Sequence, residues 1–161
     1  MFAALCDDDK YITEEIKKLL LEYAKDNRIT IDIDEFESGE ELLNSEKNYD
    51  IIVLDYQLGS TNGLTVAKEL RKRNVLSSII FLTSYPNFMI DAFEVNTFRF
   101  LLKPIDKSKF FKAIDDYIKI VDANYPITII QNKELKKINS NEISYIEADG
   151  KYSNIHLSDK I

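Results

Sequence analysis

Cysteine is almost missing from this chain, and the single Cys6 has no partner with which to form an internal disulfide. A disulfide-stapled secreted module is therefore excluded, and a reducing cytoplasm fits. Cys6 ends an apolar run, so it reads as a small buried hydrophobe rather than a reactive thiol. Long hydrophobic runs are missing too. None nears the roughly 20 residues needed to cross a bilayer, and the N-terminus has no basic region leading into an apolar stretch. A cytoplasmic protein with no membrane partner is expected. Positive charge is also scarce: 21 Lys and Arg face 28 Asp and Glu, a net charge of −7. That balance argues against a general nucleic-acid coat. The deficit is uneven, because from Pro126 onward Lys133, Lys136, Lys137, Lys151 and Lys160 offset five acids. Residues 1–125 carry all of the excess, and the shift marks an expected boundary.

What the chain does have is an alternation of short apolar runs with amphipathic stretches, the pattern of a parallel α/β sheet. The first expected strand is Phe2–Cys6. The helix after it places Ile12, Ile16, Leu19, Leu20 and Tyr23 on one face. Ile29, Ile31 and Ile33 alternate with polar residues as a half-exposed strand would, and Ser38 with Glu41 forms a capping box for a short helix through Leu42 and Leu43. Ile51–Leu54 is apolar on both faces, so it is expected to be central. A loop over Asp55–Asn62 leads to a helix with Leu64, Ala67 and Leu70. Then come a strand at Ile79–Leu82, a helix around Ile90–Glu94 and a strand at Phe98–Leu102. A last helix starts near Ser108 and buries Phe111, Ile114, Ile118 and Val121. Such sheets carry their sites at the carboxyl ends of strands, near the switch in strand order.

Those ends are rich in chemistry. Asp7, Asp8 and Asp9 follow the first strand, Asp55 ends the third, Thr83 the fourth and Lys103 the fifth. Clustered carboxylates repel one another unless a cation joins them, and hard oxygen ligands with few protein contacts suit Mg²⁺. A carboxylate beside such an ion can act as a nucleophile and form an acyl phosphate, with Lys103 and the Thr83 hydroxyl on the phosphoryl oxygens. Taken singly, each residue has a plainer reading. Asp9 is expected simply to cap the first helix, a Lys-Pro pair is commonly a turn, and Thr83 alone would be a solvated hydroxyl. Four strand ends supplying a complete phosphoryl site weigh against coincidence.

The segments LCDDDK, DIIVLDYQLGSTNGL, IIFLTSY and FRFLLKP resemble, in order, the acid pair, phosphorylation loop, switch hydroxyl and lysine motifs of response-regulator receiver domains. The resemblance covers residues 1–121. It implies a doubly wound, five-stranded parallel sheet of flavodoxin-like type, with strand order 2-1-3-4-5. It also implies that Asp55 is the phosphoacceptor, that Asp7, Asp8, Asp55 and the Gln57 backbone carbonyl hold Mg²⁺, and that a sensor histidine kinase donates the phosphoryl group. Thr83, Lys103 and Phe100 match the switch hydroxyl, the lysine and the aromatic switch position. Phe100 stands where Tyr is commoner, so a switch hydroxyl is lacking, and an ordinary core Phe is the competing reading. Gln57-Leu58-Gly59 stands where many members have Met-Pro after the phosphorylation site.

Beyond a 122–126 linker, ISYIEADGKYSNIHL resembles the early part of the LytTR DNA-binding domain. That resemblance implies an incomplete output module over residues 127–161 and a transcription regulator that meets DNA through the complete domain. Four short strands are expected: Ile127–Gln131, Leu135–Ile138, Ile143–Ala148 and Tyr152–Leu157. Lys151 and Tyr152 are candidate DNA contacts, and His156 reads as a solvated strand residue. Open sheet edges carrying Ile129, Ile146 and Ile155 would invite a second copy, so a homodimer is an open alternative. Two other functions compete. A haloacid-dehalogenase-like phosphatase needs a second acid two residues after the nucleophile, where this chain has Gln57. A stand-alone receiver acting by protein binding would leave the LytTR-like tail without a role. The reading is thus a switch and not an enzyme.

Overall fold

The computed structural model describes residues 1–59, 61–86, 93–122, 126–131 and 134–157. They divide into two units, Met1–Asp115 and Asp116–Ile161.

The first unit is built on five strands: β1 (Phe2–Cys6), β2 (Asp32–Phe36), β3 (Ile51–Asp55), β4 (Ser78–Thr83) and β5 (Arg99–Leu102). They form one sheet of order β2-β1-β3-β4-β5, and every pairing is parallel. The strand order is the expected one. All five residues of β3 are buried, as a run apolar on both faces requires of a central strand.

Helices cover both faces. On one, α2 (Gly39–Asn44) and α3 (Gly63–Lys72) bring Leu42, Val66, Ala67 and Leu70 onto Ala4, Cys6, Ile52, Leu54, Ile79 and Phe81. Pleating turns Ala3, Leu5, Ile51, Val53, Ile80 and Leu82, equally buried, to the other side. There α1 (Lys10–Asn27) buries Ile16 and Leu20, and α4 (Lys107–Asp122) buries Phe110 and Ile114. Each such side chain stabilises the fold by about 1.5–3 kcal/mol. The two helices are joined through Tyr23, whose hydroxyl donates to Asp115 at 2.5 Å and whose ring meets Phe111 edge-on.

Several expectations need correction. The second strand begins at Asp32 rather than Ile29, because α1 runs on to Asn27. Arg28 then takes a left-handed conformation, and the Ile29 N–H closes the helix on the Ala24 carbonyl at 3.0 Å. The last helix turns Phe110, not Phe111, fully inward. Phe111 is half-buried and Val121 is exposed. The capping box is displaced by one residue: Ser38 Oγ accepts the Glu41 N–H, but Glu41 reaches back to the N–H of Glu37. The helix expected around Ile90–Glu94 lies largely outside the described residues, with a 3-10 turn over Phe93–Val95.

The second unit holds two antiparallel hairpins, β6 (Pro126–Gln131) with β7 (Glu134–Asn139), and β8 (Ile143–Asp149) with β9 (Tyr152–Leu157). All four expected strands are present. Gly150 turns the second hairpin with φ of 57°. His156 is half-buried rather than solvated, because its ring stacks on Tyr145 with centroids 4.1 Å apart. Ile146 is exposed, whereas Ile129 and Ile155 are half-buried.

Arg71, near the end of α3, donates to the carbonyls of Val75 (2.6 Å), Ser77 (3.0 Å), Val95 (2.9 Å) and Asn96 (3.5 Å). One side chain thereby satisfies backbone acceptors on both the entry to β4 and the turn before β5. The substitution Arg71→Met keeps the stem and removes the donors, and is expected to cost about 1–3 kcal/mol in urea unfolding. A loss below about 0.5 kcal/mol would mean that water replaces the guanidinium.

Candidate functional site

Register sets the strand ends flush. Cys6 lies opposite Leu54, Asp55 opposite Leu82, and Thr83 opposite Leu102. The residues that leave β1, β3 and β5 therefore emerge together. The Lys103 N–H donates to the Thr83 carbonyl at 2.8 Å and extends the ladder by one step, which brings the lysine stem over the sheet end.

Asp7 and Asp55 are buried and Asp8 is exposed, and one carboxylate oxygen from each lies within 4.8 Å of the others. The Lys103 ammonium sits between the buried pair, 2.8 Å from Asp7 Oδ2 and 3.0 Å from Asp55 Oδ2. Asp7 Oδ1 accepts the Asp9 N–H at 3.0 Å. Asp9 itself caps α1 through the Tyr11 N–H at 2.9 Å, the role expected of it. Burial pushes the carboxyl groups of Asp7 and Asp55 above their ordinary range, with the Lys103 hydrogen bonds opposing it. For Lys103 burial works against the charge, but the hydrogen bonds it donates to Asp7 and Asp55, and their charges, outweigh it and hold the ammonium above its usual pKa. Burial, then the charge of Asp7, pushes the neighbouring Cys6 thiol up to about 12, which fits an inert core residue.

These groups open on a cleft of about 630 Å³. Its rim includes Gln57 and Asn62, which pair across a two-residue ladder turned at Gly59, together with Ser84 and Tyr85. The donors are all oxygen, with two carboxylates buried and one at the surface, and such a set fits a hard divalent cation. Thr83 is fully buried and does not line the cleft; its hydroxyl accepts the Tyr85 N–H at 3.2 Å. Phe100 is half-buried in β5 and packs against the core, 6.5 Å from the Phe81 ring, which in turn lies 6.0 Å from Tyr56. Lys151 and Tyr152 lie at the exposed tip of the β8–β9 hairpin, in the second unit.

Sequence reasoning passed over two residues of the site. Tyr85 leaves β4 onto the rim with no distinctive pattern around it. Gly63 opens α3 directly after the Asn62 cap, whose Oδ1 accepts the Leu64 N–H at 2.7 Å. A signal for Gly63 existed, since glycine inside a helix costs about 1 kcal/mol relative to alanine and needs a reason.

Residues 3–115 match the family model described as the response regulator receiver domain. A LytT sensory transduction protein of Bacillus cereus is 34% identical over 120 residues, which cover 74% of this chain and 48% of that protein. The LytT protein of Oceanobacillus iheyensis is 27% identical over 166 residues, and the match takes in 95% of this chain and 65% of that one. This chain therefore spans about half to two thirds of the length of these curated relatives. Among solved structures, the response regulator TrrA of Thermotoga maritima, in complex with Mg²⁺ and a beryllium fluoride, is 28% identical. It covers 72% of this chain and 97% of its own, with a TM-score of 0.63. With the parallel sheet, the carboxylate cleft and the family match in agreement, this chain belongs to the response regulator receiver domain family.

Proposed function

We propose that Asp55 accepts a phosphoryl group from a phosphohistidine of a sensor kinase, and that the domain is a two-component switch. The observation that carries this is a carboxylate ending the fully buried central strand, 3.0 Å from a lysine ammonium and open to an acid-lined cleft. In the transfer, an Asp55 carboxylate oxygen attacks phosphorus, the phosphorus–nitrogen bond of the donor breaks, and an acyl phosphate forms. Asp7, Asp8, Asp55 and the Gln57 carbonyl would hold Mg²⁺, which supplies charge neutralisation between the acceptor and the phosphoryl oxygens. The Mg²⁺–beryllium fluoride complex of the Thermotoga relative supports that choice of ion. Lys103 is released from Asp55 to meet one phosphoryl oxygen. The Thr83 hydroxyl, which accepts the Tyr85 N–H, keeps its own proton to donate to another, and Phe100 fills the space behind it.

Gln57 stands where a phosphatase of the haloacid-dehalogenase type needs its acid/base, which favours a persistent phosphoryl switch over a hydrolytic enzyme. For the second unit, the two hairpins and the match that runs through them to the Oceanobacillus protein favour a DNA-binding module of LytTR type. We place the domain boundary in the 122–126 linker.

Incubation with Mg²⁺ and acetyl phosphate should label wild type on Asp55, as located by mass spectrometry of peptides. Asp55→Asn should abolish the label, and Asp8→Ala should lower Mg²⁺ affinity about tenfold in calorimetric titration. A label undiminished in Asp55→Asn would refute the acceptor assignment. Thr83→Ala should still be labelled, but backbone resonance changes over residues 93–115 should shrink. Equal spread in wild type and variant would place the coupling elsewhere. The 161-residue chain, with balanced charge in its hairpins, should bind target promoter DNA more weakly than about micromolar at physiological salt. Tighter sequence-specific binding in an anisotropy titration would show that these hairpins suffice for recognition.

A further inference from the structure

Two glycines stand where a side chain has no room, and they differ in what a side chain would strike. A Cβ at Gly39 would lie 2.3 Å from Cγ2 of Val66, a side-chain atom between α2 and α3. A Cβ at Gly63 would lie 2.0 Å from the backbone carbonyl oxygen of Asp55, 3.1 Å from its carbonyl carbon and 3.2 Å from the Tyr56 Cα. The Gly63 N–H also donates to the Tyr56 carbonyl at 2.8 Å, so helix and strand end meet backbone to backbone at this point.

From this contact we propose that Gly63 is a positioning residue for the Asp55 carboxylate: the bare first turn of α3 sets where the acceptor sits relative to Lys103 and the acid pair. The reasoning concerns what yields. Non-bonded Cβ contacts below 3.0 Å essentially do not occur, so a methyl at Gly63 demands at least 1.0 Å of displacement. The helix resists, because Val66, Ala67 and Leu70 are buried, Asn62 caps its start and Arg71 holds its end. On the strand side, the Tyr56 N–H reaches the Leu82 carbonyl at 3.3 Å, longer than the 2.8 Å bond that ties Gly63 to the Tyr56 carbonyl, so the Asp55–Tyr56 peptide is the softer member. Moving that peptide moves the acceptor, whose carboxylate has only 3.0 Å to its lysine partner. A misplacement of about 1 Å at a reacting group can cost on the order of 100-fold in rate.

The inference rests on the acceptor reading above, and its test separates the two. Gly63→Ala and Gly39→Ala both overfill tightly packed ground, so their urea midpoints and the folded fraction of each are measured first. With rates taken per folded molecule, Gly63→Ala is expected to take phosphoryl from acetyl phosphate with Mg²⁺ at least tenfold more slowly than wild type. Gly39→Ala should stay within twofold. In the divalent-free proteins, the backbone amide resonances of Asp7, Tyr56 and Lys103 should shift in Gly63→Ala and remain in place in Gly39→Ala. Equal rates and unshifted amides in Gly63→Ala would overturn the proposal. So would equal slowing by both variants, or failure of Gly63→Ala to fold where Gly39→Ala folds, since Gly63 would then serve the fold at large. If wild type itself takes no phosphoryl on Asp55, the acceptor reading fails, and the amide shifts alone still judge the role of Gly63.

Discussion

Two carboxylates buried side by side repel, and the Lys103 ammonium between Asp7 and Asp55 is what makes the arrangement tolerable. The register of the five-stranded sheet is what holds that bridge in place. The lysine is in reach because β5 pairs with β4 in a register that carries it one residue past the sheet end. The acids are in reach because β1 and β3 flank each other at the switch in strand order. A lone ammonium cannot satisfy three carboxylates, and burial leaves the charged forms of Asp7 and Asp55 under pressure. The cleft is thus short of positive charge, and its oxygen ligands suit a hard divalent cation.

Much of this was legible in the sequence because it depends on local pattern. A short run apolar on both faces, set between amphipathic helices, fits a central strand, and acids or a lysine directly after such runs fall at the carboxyl edge of a parallel sheet. That pattern alone puts Asp55, Asp7, Asp8 and Lys103 at one sheet edge, and the resemblance supplies the strand order. The errors were of phase. Helix periodicity places Phe110 and Phe111 only 100° apart, and both are apolar, so pattern alone does not decide which points inward. Similarly, Ile29 and Ile31 alternate like a strand, yet Ile29 is spent on closing α1 through a left-handed Arg28. Nothing in residue type announces that a helix will run past its periodic residues.

What the sequence concealed are contacts that depend on how neighbouring elements pack, whether 2 residues apart (Thr83 and Tyr85) or 24 (Arg71 and Val95). Gly63 stands out only as a glycine at a helix start until the Asp55 carbonyl is seen against it. Arg71 looks like one more solvated charge on an amphipathic helix until its carbonyl partners are known. Thr83 reads as a solvated hydroxyl when taken alone, yet it is fully buried and its hydroxyl accepts the Tyr85 N–H. The second unit was legible for the opposite reason: its strands alternate cleanly and Asp149-Gly150 is a strong turn signal, so its hairpins needed no distant information.

The Arg71 clamp has a further consequence. The helix α3 is ten residues long, about 15 Å of hydrogen-bonded backbone, and it does not stretch. Its first residue abuts the carbonyl of Asp55, and its last turn grips the carbonyls of Val95 and Asn96. A rod fixed at both ends to backbone converts distance into a shared coordinate. Asp55 and the entrance to β5 are therefore both held, backbone to helix, by the same ten-residue element.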